Sequence, residues 1–359
     1  MNSIQRRWSR AVSVGGITIG GGAPISIQSM TNTDTHDIDA TYSQVMRLEE
    51  AGCQIVRITA PDIRSVKTFE VLRAKGVSIP LVADIHFNHE IAVACAESGV
   101  SKIRINPGNI GSDEKVQRVA ESCLKNNVPI RIGVNSGSVE KSILASHGGP
   151  TPCALVESAL YHASLLEKFD FHDIVISVKA SDVRGMIEAN RMLAAKTDYP
   201  IHIGVTEAGG GESALIKSSI GIGTLLAEGI GDTLRVSLTD DPVAEIRAAK
   251  EMLRALDLDP NPGMDVVSCP TCGRTRIDLI GLCAAFKARA AELGLDKLPL
   301  KIALMGCAVN GPGEARESDL GVAGGIGEGL IFRKGEILRK VPEDKLLDEL
   351  IAEIIRYGK

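Results

Sequence analysis

The stretch PIRIGVN, residues 129–135, alternates apolar with polar or small side chains along its length. Ile130, Ile132 and Val134 form one phase, whereas Arg131 and Asn135 belong to the other. Because successive side chains of a β-strand point to opposite faces, the pattern predicts a strand with one apolar and one polar face.

Seven other short runs share this character, and amphipathic, helix-patterned segments separate them. In chain order the eight runs are ISIQSM (25–30), IVRIT (55–59), LVADIH (81–86), KIRINP (102–107), PIRIGVN (129–135), DIVISVK (173–179), IHIGVTE (201–207) and DTLRVSL (232–238). Eight strand and helix units over about 250 residues match a TIM (β/α)8 barrel, so we predict this α/β fold. A doubly wound open sheet is the alternative fold.

The polar phase of these strands is the candidate binding site, because in a barrel the apolar phase packs against the helices and the polar phase faces the lumen. Five strands each carry an inward cation, more than the inward carboxylates can neutralise. Since burying unpaired charge is costly, we expect a multiply charged ligand, most simply a diphosphate. The residues predicted to bind it are Arg57, Asp84, His86, Arg104, Arg131, Asn135, Ser136, Lys179, Ser181, His202, Arg235 and Ser237. For the two histidines a structural role stays open, and solvated residues on an open sheet would show the same alternation.

Glu207 ends the seventh run and is followed by the glycine-rich segment AGGGES. Catalytic residues of TIM barrels lie at the carboxyl ends of the strands, so Glu207 is a candidate general acid or base. A salt bridge to a lumen arginine is the competing interpretation.

Composition bounds the remaining possibilities. The 359 residues favour one large domain with a smaller companion, and the formal net charge of -5 gives no general signal for nucleic acid. With neither a membrane-length apolar run nor a secretory signal, we expect a cytoplasmic protein with no nucleic-acid or membrane partner. In that reducing compartment the 8 cysteines are expected to be unpaired.

The segment DLDPNPG (257–263) is predicted to be a linker between a barrel over residues 1–256 and a second domain over residues 264–359. The second domain carries SCPTCGR, with Cys269 and Cys272, and MGCAVNGPGE, with Cys307 and Glu314. From spacing alone, a zinc site, a redox dithiol and an iron–sulfur cluster are all open. With three thiolates, a 4Fe-4S cluster would keep one iron for a weaker oxygen ligand, which Glu314 could supply.

The motifs CPTCG, MGCAVNGPGEARESDLGVAGG, VNSGS, VKAS and GVTEAGGG closely resemble those of the 4-hydroxy-3-methylbut-2-enyl diphosphate synthase family, in its bacterial two-domain form. The resemblance covers nearly the whole chain. It implies a TIM barrel followed by a small α/β domain similar to half of a sulfite or nitrite reductase module. It also implies the reductive ring opening and dehydroxylation of 2-C-methyl-D-erythritol 2,4-cyclodiphosphate, a step of the non-mevalonate isoprenoid pathway.

The same resemblance assigns roles to individual residues. Cys269, Cys272 and Cys307 would hold a 4Fe-4S cluster with Glu314 as a displaceable fourth ligand, and Glu207 would be the proton donor. Reduced flavodoxin or ferredoxin would deliver two electrons singly. The chain would form a homodimer in which the cluster domain of one subunit closes over the barrel of the other. Two alternatives stay open: a non-redox transferase similar to dihydropteroate synthase with a structural zinc, and an iron–sulfur electron carrier.

Overall fold

The computed structural model describes residues 4–307 and 315–358. The chain divides between Asp259 and Pro260 into two compact units. This boundary falls inside the stretch 257–263, and each unit has its own hydrophobic core. The functional roles assigned to the two domains stay predictions.

A short antiparallel hairpin precedes the barrel. It consists of β1 (Val12–Val14) and β2 (Ile17–Ile19). Its buried side chains form a small apolar cluster with residues near the amino ends of three barrel strands. The members of this cluster are Val12, Val14, Ile19, Ile55, Val82 and Val175. The hairpin therefore covers the amino-terminal end of the barrel lumen, a feature that the sequence pattern did not predict.

The first unit is a barrel of eight parallel strands, and every predicted run contributes one of them. The strands are β3 (Ser26–Met30), β4 (Ile55–Thr59), β5 (Leu81–Asp84), β6 (Lys102–Ile105), β7 (Ile130–Asn135), β8 (Ile174–Lys179), β9 (His202–Ile203) and β10 (Thr233–Leu234). They pair in the order β8-β7-β6-β5-β4-β3-β10-β9, and a bridge between Ile176 and Ile201 joins β8 to β9. β9 and β10 are shorter than predicted, although the Arg235 backbone N–H still donates to the Ile203 carbonyl oxygen.

Helices surround this barrel, and side-chain caps stabilise the first turns of five of them. They are α1 (Ile38–Glu50), α2 (Ser65–Ala74), α3 (His89–Glu97), α4 (Pro107–Ile110), α5 (Asp113–Asn126), α6 (Lys141–His147), α7 (Pro152–Glu167), α8 (Val183–Lys196), α9 (Gly211–Ala227) and α10 (Pro242–Ala255). Asp37, Asn88, Thr151, Asp182 and Asp241 each accept a backbone N–H of the helix that follows. The apolar phase of the strands is buried against these helices, as predicted.

The second unit is a five-stranded mixed sheet with helices on one face. Its elements are β11 (Asp265–Ser268), α11 (Leu279–Glu292), β12 (Lys301–Met305), β13 (Leu320–Gly324), β14 (Glu328–Arg333), β15 (Glu336–Pro342) and α12 (Leu346–Tyr357). The strands pair in chain order, the first three in parallel and the last two antiparallel. Phe286 and Leu350 from the helices pack with Leu304 and Val322 of the sheet.

The predicted fold class, a TIM barrel followed by a small α/β domain, is confirmed. Within the described residues, no helix is both long enough and apolar enough to cross a membrane.

Candidate functional site

A cavity of about 60 Å³ lies in the barrel lumen, and seven predicted ligand-binding residues line it. These seven are Arg57, Arg104, Arg131, Asn135, Lys179, Arg235 and Ser237, and the lining also includes Gly133, Ser177 and Thr206. The alternation of the strands therefore brings five cations, one from each of five strands, to one place. Some of these cations are paired with a carboxylate in the described chain and others are not. The unpaired cations determine which ligand the cavity can bind.

Asp84 on β5 is the carboxylate shared by two of these cations. Its Oδ1 accepts from Arg104 at 3.2 Å, and its Oδ2 lies 3.7 Å from Nε of Arg57. Burial opposes the charge of Asp84, but Arg57, Arg104 and Arg131 outweigh it and hold its pKa at about 2. Burial lowers the pKa of Arg57 to about 10, although the Asp84 carboxylate acts in the opposite direction.

Arg235 has a separate partner, Glu245 on α10, which the sequence did not single out. Nε and Nη2 of Arg235 donate to the two carboxylate oxygens at 3.2 and 3.1 Å. The same oxygens accept from the Ser29 hydroxyl at 2.8 Å and from the Leu238 backbone N–H at 3.1 Å. Glu245 is 2% exposed, so it is a buried, fully hydrogen-bonded carboxylate that orients Arg235.

Arg131 and Lys179 have no such partner. Among the described residues, no carboxylate oxygen lies within 4.0 Å of either cation. Burial lowers the pKa of both side chains well below their usual values, and the surrounding arginines act in the same direction. Two arginine nitrogens of Arg131, Nε and Nη1, are buried without a hydrogen-bond partner. An anion in this cavity would supply the missing charge and acceptors.

A glycine leaves the space that Lys179 occupies. A Cβ built on Gly204 would come within 3.0 Å of Nζ of Lys179 and 2.5 Å of the Arg235 carbonyl oxygen. The lumen has room for the long side chain of Lys179 because Gly204, directly after the neighbouring strand β9, carries no side chain.

The other predicted ligand-binding residues lie elsewhere. His86 lines a second cavity of about 450 Å³, which shares Arg104 and Asn135 with the lumen cavity. Ser136 and Ser181 line neither cavity. His202 also lines neither: it is fully buried, and both ring nitrogens lack a hydrogen-bond partner. Burial, together with the charge of Lys179, holds its pKa well below the usual value.

Two residues that affect the charge of the lumen, Glu245 and Lys102, were not predicted from the sequence. Glu245 is one acid among several on an amphipathic helix, and nothing in the sequence links it to a strand ten residues earlier. Lys102 is different, because it shares the lumen phase of β6 with Arg104, two residues later. A lysine at the start of a strand is usually solvated, whereas this one is 0% exposed.

Glu207 lies just beyond β9, at the carboxyl-terminal end of the barrel. Its backbone φ is +54°, in the left-handed region that residues other than glycine rarely adopt. The side chain is exposed, and no cation within the described residues forms an ion pair with it. The salt bridge considered from the sequence is therefore absent from this part of the chain, and the carboxylate is available at the end where barrel enzymes place their chemistry.

The cysteine motifs follow neighbouring parallel strands of the second unit. Cys269 comes directly after β11, and Cys307 lies two residues after β12. Ser268 pairs with Leu304, so both cysteines project from the same edge of the sheet. The Gly306 backbone N–H donates to Sγ of Cys269 at 3.3 Å, and hydrogen bonds from Arg274 lower the pKa of the Cys272 thiol.

The three cysteines are free thiols, and thiolates suit soft metals and iron–sulfur clusters. The donor chemistry and the shared sheet edge thus suit the predicted cofactor, but the structure does not gather the three described thiols into one metal-binding group. Glu314, the predicted fourth ligand, lies outside the described residues. Within residues 4–307 and 315–358, no three His, Cys, Asp or Glu side chains form a group that could hold a metal ion.

Fold and site together define a two-unit protein with a cationic TIM-barrel lumen and a cysteine-bearing α/β unit. The chain belongs to the GcpE family: residues 9–250 match the GcpE TIM-barrel domain, and residues 265–356 match the GcpE protein C-terminal domain.

Curated relatives agree over almost the full length. A protein of Clostridium perfringens, named 4-hydroxy-3-methylbut-2-en-1-yl diphosphate synthase (flavodoxin), is 56% identical over 98% of this chain and 99% of its own length. A protein of the same name from Caldanaerobacter subterraneus subsp. tengcongensis is 54% identical over 99% of this chain and 98% of its own. The family resemblance drawn from the motifs is therefore confirmed.

Among solved structures, a type I 3-dehydroquinate dehydratase from Clostridium difficile matches 70% of this chain and 97% of its own length. The TM-score is 0.50 at 19% sequence identity, which supports the barrel fold alone.

Proposed function

We propose that this chain catalyses the reductive conversion of 2-C-methyl-D-erythritol 2,4-cyclodiphosphate to (E)-4-hydroxy-3-methylbut-2-enyl diphosphate. The main support for this proposal is that Arg131 and Lys179 line the lumen cavity without a carboxylate partner in the described chain. The close relatives of the chain are named 4-hydroxy-3-methylbut-2-en-1-yl diphosphate synthases. Balanced in atoms and charge, the reaction breaks a carbon–oxygen bond to phosphate, releases water, and consumes two electrons and one proton.

The lumen residues hold the diphosphate. Arg131 and Lys179 meet its charge directly, while Arg57 and Arg104 present guanidinium groups already oriented by Asp84. Asn135, Ser237 and Thr206 add neutral hydrogen-bonding groups around the same cavity. Because Asp84 and Glu245 orient three of the arginines before the ligand arrives, less reorganisation is needed to hold the substrate.

The second unit is proposed to hold a 4Fe-4S cluster through Cys269, Cys272 and Cys307, with Glu314 as the replaceable ligand. When bound, such a cluster supplies electrons one at a time. The shared sheet edge of Cys269 and Cys307 supports this assignment, as does the N–H of Gly306 donated to Cys269. Backbone donors to cluster-binding sulfurs stabilise the thiolate form.

Glu207 is proposed to donate the proton that the departing hydroxyl needs to leave as water. Its position beyond β9 and its lack of an ion-pair partner in the described chain support that role. Its strained backbone supports it as well, since such conformations concentrate at functional sites.

The partners in this proposal are the cyclic diphosphate and a reduced one-electron carrier, either flavodoxin or ferredoxin. The name of the relatives favours flavodoxin. As the family resemblance implies, the protein is also proposed to be a cytoplasmic homodimer. In this dimer the cluster domain of one subunit covers the barrel of the other.

A Glu207→Gln variant tests the catalytic part. We expect the full-length variant, purified without oxygen, to keep its iron and sulfide content and its KM for the cyclic diphosphate while kcat falls about 100-fold or more. Glu212→Gln, a change of an exposed acid in the first turn of α9, is the matched control and should leave kcat unchanged. An unchanged kcat in Glu207→Gln would remove Glu207 from the mechanism. A colourless zinc protein would instead favour the transferase alternative.

A further inference from the structure

Lys102 is a buried cation that the proposed mechanism does not use. It is the first residue of β6, it is 0% exposed, and its Nζ has no hydrogen-bond partner. Arg104 lies two residues further along the same face of the strand, beside the cavity. Since a strand rises about 3.3 Å per residue, Lys102 starts about 7 Å deeper in the lumen, toward the end that the hairpin covers.

The strand register identifies what lies between Lys102 and the cavity. Gln28 on β3, Arg131 on β7 and His202 on β9 come from alternate strands and form one layer of the lumen, one step above Lys102. Both polar atoms of the Gln28 side chain and both ring nitrogens of His202 are buried without partners. Unpartnered acceptors therefore lie next to an unpartnered lysine.

The charges that face Lys102 all oppose its ammonium form. Burial lowers its pKa well below the usual value, and Arg131 on β7 and Arg57 on β4 lower it further. The inward carboxylate of Asp84 on β5 is already shared by Arg57 and Arg104. His202 on β9 carries no charge that could attract a cation. An arginine keeps its proton under such conditions, whereas a lysine amine can lose it.

We propose that Lys102 is a proton-linked binding residue, which takes up a proton when a diphosphate fills the cavity above it. The proposal rests on the proposed function, since it requires that the lumen bind a diphosphate. The anion reverses the local field, so the ammonium form becomes favourable. Gln28 Oε1 and a ring nitrogen of His202 can then accept its N–H groups. Without an anion the lumen thereby avoids one buried like charge, and with a bound diphosphate it gains one further cation.

Calorimetry with inorganic diphosphate tests this without any turnover. Binding to the full-length protein at pH 8 is measured in two buffers of different ionisation enthalpy, and the difference in heat gives the protons exchanged per anion bound. We expect Lys102→Met to take up at least half a proton fewer than the wild type and to bind about tenfold more weakly. Protons exchanged by the diphosphate itself and by Lys179 are common to both proteins.

Two further variants keep the test decisive. Lys102→Arg keeps its charge at all times, so we expect the same loss of proton uptake with a smaller loss of affinity. Lys125→Met changes an exposed lysine on α5 and should match the wild type in both quantities. If Lys102→Met does not fold, the comparison of Lys102→Arg with the wild type decides.

Undiminished proton uptake in a folded Lys102 variant would overturn the inference while leaving the lumen anion site intact. No diphosphate binding by the wild type would instead contradict the proposed function itself. Binding of diphosphate to the wild type therefore distinguishes a failure of this inference from a failure of the proposed function.

Discussion

Arg104 lies directly against Gly133 in the barrel lumen. Its Nη2 donates a 2.6 Å hydrogen bond to the Gly133 carbonyl oxygen, and a Cβ built on Gly133 would come within 2.4 Å of its Nε. The position of this guanidinium beside the cavity therefore depends on the absence of a side chain on the neighbouring strand.

A Gly133→Ala variant should displace Arg104 and weaken its contact with the diphosphate. We expect KM for the cyclic diphosphate to rise about tenfold, the equivalent of about 1.4 kcal/mol, with a smaller change in kcat. Steady-state kinetics measures both. Gly223→Ala on α9, where an added Cβ meets nothing within 4 Å, is the control. Equal KM values for the two variants would show that Arg104 does not need this space.

The pair of Arg235 and Glu245 should be a main contribution to barrel stability. Removing one partner of a buried ion pair leaves the other charge uncompensated, so Glu245→Gln should lower the free energy of unfolding by about 3 kcal/mol. The shift of the urea midpoint, followed by circular dichroism, measures it.

Glu251→Gln on the same helix is the matched control, because Glu251 is exposed and pairs with Arg254 within one turn. Such surface pairs contribute less than about 1 kcal/mol. Similar midpoints for the two variants would contradict a structural role for Glu245.

Asp84 should make stability depend on pH in the acid range. Its folded pKa of about 2 lies below the value of about 3.9 for an unfolded chain, so the unfolded state binds more protons between these values. The contribution, about 3 kcal/mol, is present above about pH 4 and is lost as the pH falls toward 2.

Urea midpoints between pH 4 and pH 2 should therefore fall more steeply for the wild type than for Asp84→Asn. Asp170→Asn, at a side chain that is almost fully exposed, serves as the control and should follow the wild type. Parallel curves for the wild type and Asp84→Asn would mean that Arg57 and Arg104 do not hold the carboxylate ionised.

The two kinds of proposed cluster ligand should behave differently when removed. Cys307→Ser should lose the iron and sulfide of the anaerobically purified protein, whereas Glu314→Ala should keep them and turn over slowly. Cys153→Ser, a change of an exposed cysteine in the barrel unit, should be indistinguishable from the wild type. If Glu314→Ala loses iron to the same extent as Cys307→Ser, Glu314 has a structural role instead of a replaceable one.

The strands and the lumen cations could be predicted because they depend on a local pattern. Arg57, Arg104 and Arg131 alternate with buried apolar residues, and that alternation determines which face each occupies. The fold follows from the same repeat, since eight strands separated by helices leave few arrangements.

Other features depend on contacts between distant parts of the chain. Glu245 looks like any acid on an amphipathic helix until the barrel brings it to Arg235. Lys102 resembles a solvated strand end, but in the folded barrel it is 0% exposed. The positive φ of Glu207 could likewise not be predicted, because residues other than glycine rarely adopt that conformation.

We propose that the lumen and the cysteine unit together carry out a two-electron reductive ring opening. The most direct test gives the cluster-loaded full-length protein the cyclic diphosphate and a measured amount of reduced flavodoxin under anaerobic conditions. We expect one linear hydroxymethylbutenyl diphosphate for every two electrons consumed. A protein that binds the cyclic diphosphate and oxidises flavodoxin, yet forms no linear product, would contradict it.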